Sequence, residues 1–446
     1  MLSYTTYTLC GDFGSFISKI ICALPAEVGF AEVVPEAFNV HVSCTITETG
    51  DAAGIALSSD EGAVRHGYLP VKAAYPSDEN GVRAERGRHV TLEVPEDELG
   101  MHLIDQIIKT SHLTNHIRVT LLRQFSGVDE TGASVVLDGL VWDELDHDIC
   151  PETEGWTTGA IEACGQRLGY ALFSPDLEAL ADPAPDAFGN KPAPLTGKLP
   201  LVIFLHGAGQ GGLDPMVAVT GTFTTGLSGT RIQHDLGGGA YVLVPQAPTY
   251  WMDDGVEQMG RSNQSIYVGV LKALIDQVVA ETPRIDPDRI IISGLSNGGF
   301  MTERMMIDHP HFFAAGIAMC GPLYEENQTS EVIAKLAQEN LWLVHSKGDE
   351  LVHPEETVLP LYRHLWGAGA ENVHLTYFDH VEDFTGVYKD DRGRPAPFMN
   401  HGVWVATFND MVRTDVDGTL VTSDGVPVTC WEWAGLQRRG IVGSGK

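Results

Sequence analysis

The chain has 446 residues, and its 28 Lys and Arg stand against 60 Asp and Glu, for a formal net charge of −32. Such an acid surplus repels nucleic acid and anionic membrane surfaces, so neither is an expected partner. The length exceeds what one core supports and predicts two or three domains.

A composition of 43% hydrophobic and 20% charged residues is that of an ordinary globular protein. The seven cysteines are widely spread with no Cys-x-x-Cys pair, which predicts neither a disulfide framework nor a zinc site. The first residues, Met1 to Tyr7, lack a basic segment followed by an apolar one, and no apolar run approaches ~18 residues. A cytoplasmic protein is the expectation.

From about Phe16 to Phe125 the apolar pattern is short and alternating. Candidate strands are Phe38–Ser43, Tyr68–Tyr75, His89–Val94 and Ile117–Leu122, separated by turn clusters such as Ser77-Asp78-Glu79-Asn80-Gly81. Period-two strands broken by turns predict an antiparallel sandwich of immunoglobulin-like type. His41, His66 and His89 sit singly in this pattern and are expected to have structural or surface roles. The acidic run Asp143 to Asp148 is expected to be an interdomain linker. The predicted division is 1–154 for the β-sandwich and 155–446 for a catalytic domain.

Gly169–Phe173 opens a new strand pattern. Pro175 to Pro200, rich in Pro, Ala and Asp, predicts an exposed loop. Leu201–Leu205 is a continuous apolar strand of the kind buried on both faces of a parallel sheet, and it ends in His206-Gly207-Ala208-Gly209-Gln210-Gly211-Gly212. That turn lacks the Lys-Ser/Thr ending of a P-loop and the spacing of a dinucleotide site. An N–H of Ala208 or Gly209 could instead face a substrate carbonyl oxygen. The strand Ala240–Pro248 leads into Thr249-Tyr250-Trp251, where Tyr250 and Trp251 are candidates for a substrate wall above the strand ends. A helix is expected from about Asn263 to Val279, and Ile285-Asp286-Pro287-Asp288-Arg289 is expected to be a compact turn.

The run Ile291-Ile292-Ser293-Gly294-Leu295-Ser296-Asn297-Gly298-Gly299-Phe300 carries the chemistry. A serine on a tight strand-to-helix turn needs neighbours without side chains, and Gly294 and Gly298 supply them. The turn would expose the Ser296 hydroxyl and aim the first helical N–H groups, that of Asn297 included, at whatever the serine attacks. Helix to Asp308, a buried strand Phe312–Gly321 and a strand Leu341–His345 follow. The alternation of strand and helix predicts a mostly parallel sheet flanked by helices. Asp349 lies just past a strand end, where a carboxylate can orient a histidine, with Glu350 as the neighbouring alternative. Position alone leaves His380 and His401 open as the base.

Taken together, His206-Gly207-Ala208-Gly209, Pro245-Gln246-Ala247-Pro248-Thr249-Tyr250-Trp251, Gly294-Leu295-Ser296-Asn297-Gly298-Gly299 and the Asp349 loop resemble the α/β-hydrolase superfamily. More narrowly, residues from about 169 to 438 resemble prolyl-oligopeptidase-like and feruloyl-type esterases, in particular two-domain carboxylesterases with an N-terminal immunoglobulin-like domain. The resemblance implies His401 as the base, because family members commonly carry a tryptophan three positions on and Trp404 fits. Asn400 departs from the glycine usual before that histidine.

The implied protein is a serine esterase with Ser296, His401 and Asp349 as its triad and the Ala208 and Asn297 N–H groups as its oxyanion hole. It needs no cofactor or metal, takes a small-molecule ester, and could assemble through its N-terminal domain. The competing expectations are a peptidase with the same triad and a non-catalytic binding protein on the same scaffold. After the last apolar helix, Asp415-Val416-Asp417-Gly418 has Val426 rather than Glu at a calcium loop's twelfth position, so calcium is not expected. A closing helix around Trp431-Glu432-Trp433 is.

Overall fold

The computed structural model describes residues 2–30, 33–47, 64–105, 110–129, 131–184 and 193–441. Two large sheets divide them, with a two-stranded ribbon of Thr422–Ser423 and Val426–Pro427 in addition. The first, with eleven strands, runs from Leu2–Gly11 to Val141–Ile149, and the second, with eight, begins at Trp156–Ala163.

Alternate residues of the first sheet, among them Ile20, Cys22, Val40, Val42, Val90 and Leu92, fill one core around the fully buried Trp142. The pairings are antiparallel except that Leu2–Gly11 runs parallel to Val141–Ile149. The sequence pattern hid the first of these strands, because Thr5, Thr6 and Thr8 interrupt its apolar positions. All three are nevertheless buried, and Asp148 accepts the Thr6 and Thr8 hydroxyls at 2.6 and 2.7 Å. The acidic run Asp143 to Asp148 is therefore a strand, not the expected linker. The expected strand Tyr68–Tyr75 is also corrected. It breaks at Pro70, which has no N–H to give a ladder, into Arg65–Leu69 and Ala73–Ser77, each with a different partner strand.

In the second sheet the strand order is Trp156–Ala163, Gln166–Phe173, Tyr241–Gln246, Leu199–Leu205, Ile285–Leu295, Ala315–Met319, Leu341–Ser346 and Val373–Phe378. The first two pairings are antiparallel and the rest parallel. Side chains alternate across a strand, and here both faces are apolar. Leu201, Ile203 and Leu205 join the core under the helices Val268–Glu281 and Asn297–Asp308. Val202 and Phe204 join the core under Trp404–Phe408 and Cys430–Leu436. Strands buried on both faces thus set the register that carries every loop of the candidate site.

Several boundaries moved. The helix expected from Asn263 begins at Val268, with Asn263 itself at φ 54°. Ile285 to Arg289 extends the following strand instead of turning. Part of the expected 175–200 loop, residues 185–192, lies outside the described residues, and Leu177–Ala181 in that stretch is a short helix capped by Asp176. Among the described residues, no helix is long and apolar enough to cross a membrane.

Candidate active site

Ser296 follows the strand Ile285–Leu295 and precedes the helix Asn297–Asp308, at φ 53° and ψ −115°. A non-glycine residue in that region is strained, and such strain persists only where the surroundings enforce it. The enforcement is close packing of main chain. A Cβ on Gly294 would lie 2.3 Å from the Gly298 carbonyl oxygen, and one on Gly298 would lie 1.9 Å from that of Leu205. Ser296 N–H donates to Met319 O at 2.8 Å, and Ser296 O accepts from Phe300 N–H at 3.0 Å. The elbow is thereby tied to the next strand and to its own helix.

The Asn297 side chain has a role that sequence reasoning missed. Its Oδ1 accepts the Trp251 N–H at 2.6 Å, linking the elbow to the loop after Tyr241–Gln246. Trp251 is fully buried, its ring 5.2 Å from that of His206 and 5.9 Å from that of Tyr267, while Tyr250 keeps slight exposure.

His206 organises the turn that carries Ala208. Its Nδ1 lies 2.7 Å from Gly207 O, and its Nε2 accepts Ala247 N–H at 3.1 Å. The two partners assign the neutral Nδ1–H tautomer. Burial agrees, pushing the imidazole down to about 4 against a smaller upward pull from Gly207 O. Ala208 opens the short 3-10 turn Ala208–Gln210. Among the described residues, neither its N–H nor that of Asn297 has a protein acceptor.

Asp349 and His401 meet although 52 residues separate them, with His401 Nδ1 at 2.7 Å from Asp349 Oδ2. Asp349 is 1% exposed. Its Oδ1 accepts the N–H groups of Leu351 and Val352 at 2.9 and 3.0 Å, and His345 Nε2 lies 3.2 Å from its Oδ2. Burial alone would raise this carboxyl, but the bonds from His345, His401 and Val352 hold it well below the usual carboxylate range. For His401, burial pulls the imidazole down while Cys320 and Asp349 push it up more strongly, and the net direction is upward.

His401 Nε2 faces Cys320 Sγ at 3.9 Å, and the Cys320 thiol also donates to His401 O at 3.5 Å. Among the described residues, the Ser296 hydroxyl makes no hydrogen bond to His401. Such bonds are often long before substrate binds. Glu350 is exposed, and His380 is exposed and paired with Glu382. The structure brings neither to the Asp349–His401 pair.

Asn400, the departure from the family pattern, holds the long loop that delivers His401. Its Oδ1 accepts Val381 N–H at 3.2 Å, its Nδ2 reaches Gly348 O at 3.4 Å, and Ser346 donates to its carbonyl. The N-terminal domain contributes from the other side. Asp12 and Phe13 form the tip between the strands Leu2–Gly11 and Gly14–Phe30. Asp12 O accepts Trp404 Nε1–H at 3.0 Å, and the Phe13 ring lies 5.0 Å from Phe398 and 6.3 Å from Trp404. The one advance sign of that tip is its sequence, Gly11-Asp12-Phe13-Gly14, a plain hairpin turn.

Comparison with known proteins agrees with this architecture. The prolyl oligopeptidase family model matches residues 249–331, which include Ser296, and the esterase Ig-like N-terminal domain model matches residues 3–131. A crystal structure of a thermostable esterase superposes with a TM-score of 0.70 at 21% identity, covering 98% of this chain and all of its own. "Putative esterase NocK" of Nocardia uniformis subsp. tsuyamanensis is 27% identical over 124 residues, 28% of this chain. The match spans about a third of that relative's length. The chain thus has the α/β-hydrolase fold, preceded by a domain that matches the esterase Ig-like N-terminal model.

Proposed function

We propose that the protein is a serine hydrolase that cleaves small carboxylic esters through an acyl-enzyme. The observation that carries this reading is the strained Ser296 at a strand-to-helix elbow, on the same sheet edge as a buried His401–Asp349 pair at 2.7 Å. Ser296 Oγ adds to the ester carbonyl while its proton passes to His401 Nε2. The Ala208 and Asn297 N–H groups receive the oxyanion, each worth ~3 kcal/mol in comparable sites. Collapse of the adduct expels the alcohol, protonated by His401. Water, deprotonated by the same ring, then releases the acid. Asp349 fixes the ring's orientation and balances the imidazolium charge. Tyr250 walls the substrate region, with Trp251 beneath the same loop. This reading places the catalytic domain at 155–446.

A peptidase would use the same groups, and the prolyl oligopeptidase match over 249–331 keeps that alternative in the test. Short-chain aryl esters and aminoacyl arylamides are to be assayed with wild type and Ser296→Ala. We expect ester turnover that the substitution abolishes. Equal rates for both proteins on every substrate would overturn the enzyme reading, and faster amide than ester turnover would favour the peptidase.

A further inference from the structure

Cys10 lies near the end of Leu2–Gly11, and Cys150 directly follows Val141–Ile149, the strand that runs parallel beside it with Tyr7 opposite Ile149. The two sulfurs and a Glu152 carboxylate oxygen lie within 4.8 Å of one another. Glu152 Oε2 accepts Cys10 N–H at 2.6 Å, which holds the end of the first strand against the turn Pro151–Thr153. Cys10 is buried and Cys150 half-buried, so Cys150 is the more accessible of the pair. No other two cysteines come together in a group of this kind among the described residues.

We propose that Cys10 and Cys150 form a reversible disulfide, with a low-molecular-weight disulfide as the oxidant. The bond would close a ring from residue 10 to residue 150 and so tie the first strand to the segment that leads into the catalytic domain. Three donors, with the carboxylate already engaged by Cys10 N–H, fall short of the four that close a structural zinc site. Two thiols in mutual contact are what a disulfide requires.

Cys150 is the attacking group. The hydrogen bond from Cys10 lowers its thiol, against the opposing effect of burial, whereas Cys10 is pushed far up, first by that same bond and then by its own burial. The Cys150 thiolate attacks one sulfur of the oxidant, whose S–S bond breaks and releases one small thiol. Once Cys150 is in the mixed disulfide it no longer holds the Cys10 proton. Cys10 loses that proton to solvent, attacks Cys150 Sγ and expels the second small thiol. Two protein thiols have then given up two electrons, and one small disulfide has become two thiols.

The position gives the bond a consequence. Two residues beyond Cys10, Asp12 accepts the Trp404 and Asn409 side-chain N–H groups, beside the His401 loop. Fixing Cys10 fixes the root of that tip. The pair itself lies outside the proposed catalytic set, so its test does not depend on Ser296.

The full-length protein is to be incubated with oxidised glutathione, digested without reduction and analysed by mass spectrometry. The expected result is a peptide pair joined through residues 10 and 150, two fewer free thiols than the seven of the reduced chain, and reversal by dithiothreitol. The oxidised protein should also melt at a higher temperature, since a long closed ring restricts the unfolded chain. Cys150→Ser should lose the linked pair and the shift together. A glutathione adduct that persists on Cys150 without the cross-link, a bond between other cysteines, or seven thiols still free would each overturn the proposal. So would one equivalent of zinc that binds the reduced protein and shields both thiols.

Discussion

His206 and His401 are both buried histidines, yet they are driven in opposite directions. His206 meets only a main-chain carbonyl and a main-chain N–H, so burial decides and the ring stays neutral. His401 meets Cys320 and a buried carboxylate, which together outweigh burial and drive the ring upward. The same contrast separates two carboxyls. Asp349, held by His345, His401 and two N–H groups, is driven down. Glu303, 2% exposed on the elbow helix with no partner for its Oε2, is pushed up to about 8 by desolvation. Burial sets the stake in each case, and the partner sets the sign.

The contrast can be broken most sharply at His401. Its replacement by Ala should lower the turnover number by about five to six powers of ten, as loss of a triad base does, while His380→Ala should leave turnover near wild type. The reverse outcome, read in steady-state kinetics, would move the base to His380. Next in size is Asp349→Asn, which should cost about four powers of ten. Because the carboxylate raises His401, its removal should also shift the acid limb of the kcat/KM profile to lower pH. A limb that stays in place would show that Asp349 does not act on the base.

The smallest effect concerns stability and Glu303. Its carboxyl titrates near 4.5 in the unfolded chain and at about 8 in the folded one. The folded state therefore holds the proton more tightly, and stability is lost as pH rises through that window, by at most about 1.4 kcal/mol per pH unit. Glu303→Gln should flatten this slope in urea melts taken between pH 5 and pH 8. An unchanged slope would assign the pH dependence elsewhere.

Much of this was legible because it is local. The glycines around Ser296 announce close main-chain packing, and the unbroken apolar runs Leu201–Leu205 and Ile290–Ile292 announce a sheet covered on both sides. What was not legible depends on partners far apart in the chain. Thr6 and Thr8 break the apolar pattern of a strand until Asp148 is placed beside them, and Asp143 to Asp148 looks like a linker until the first strand pairs with it. Trp251 reads equally as a substrate wall or as packing beneath its loop, and only its contacts with Asn297 and His206 show that it is fully buried.

The sequence by itself determined the order of the domains, the elbow and the short menu of acids and bases, since strand period, glycine placement and turn chemistry act within a few residues. Only the tertiary structure decided which histidine meets Asp349, that the Asp12–Phe13 tip braces Trp404, and that Cys10 and Cys150 face each other. Those contacts join segments separated by tens to hundreds of residues. No local preference encodes them, and they exist only once two-sided burial of the sheets has fixed where each strand ends.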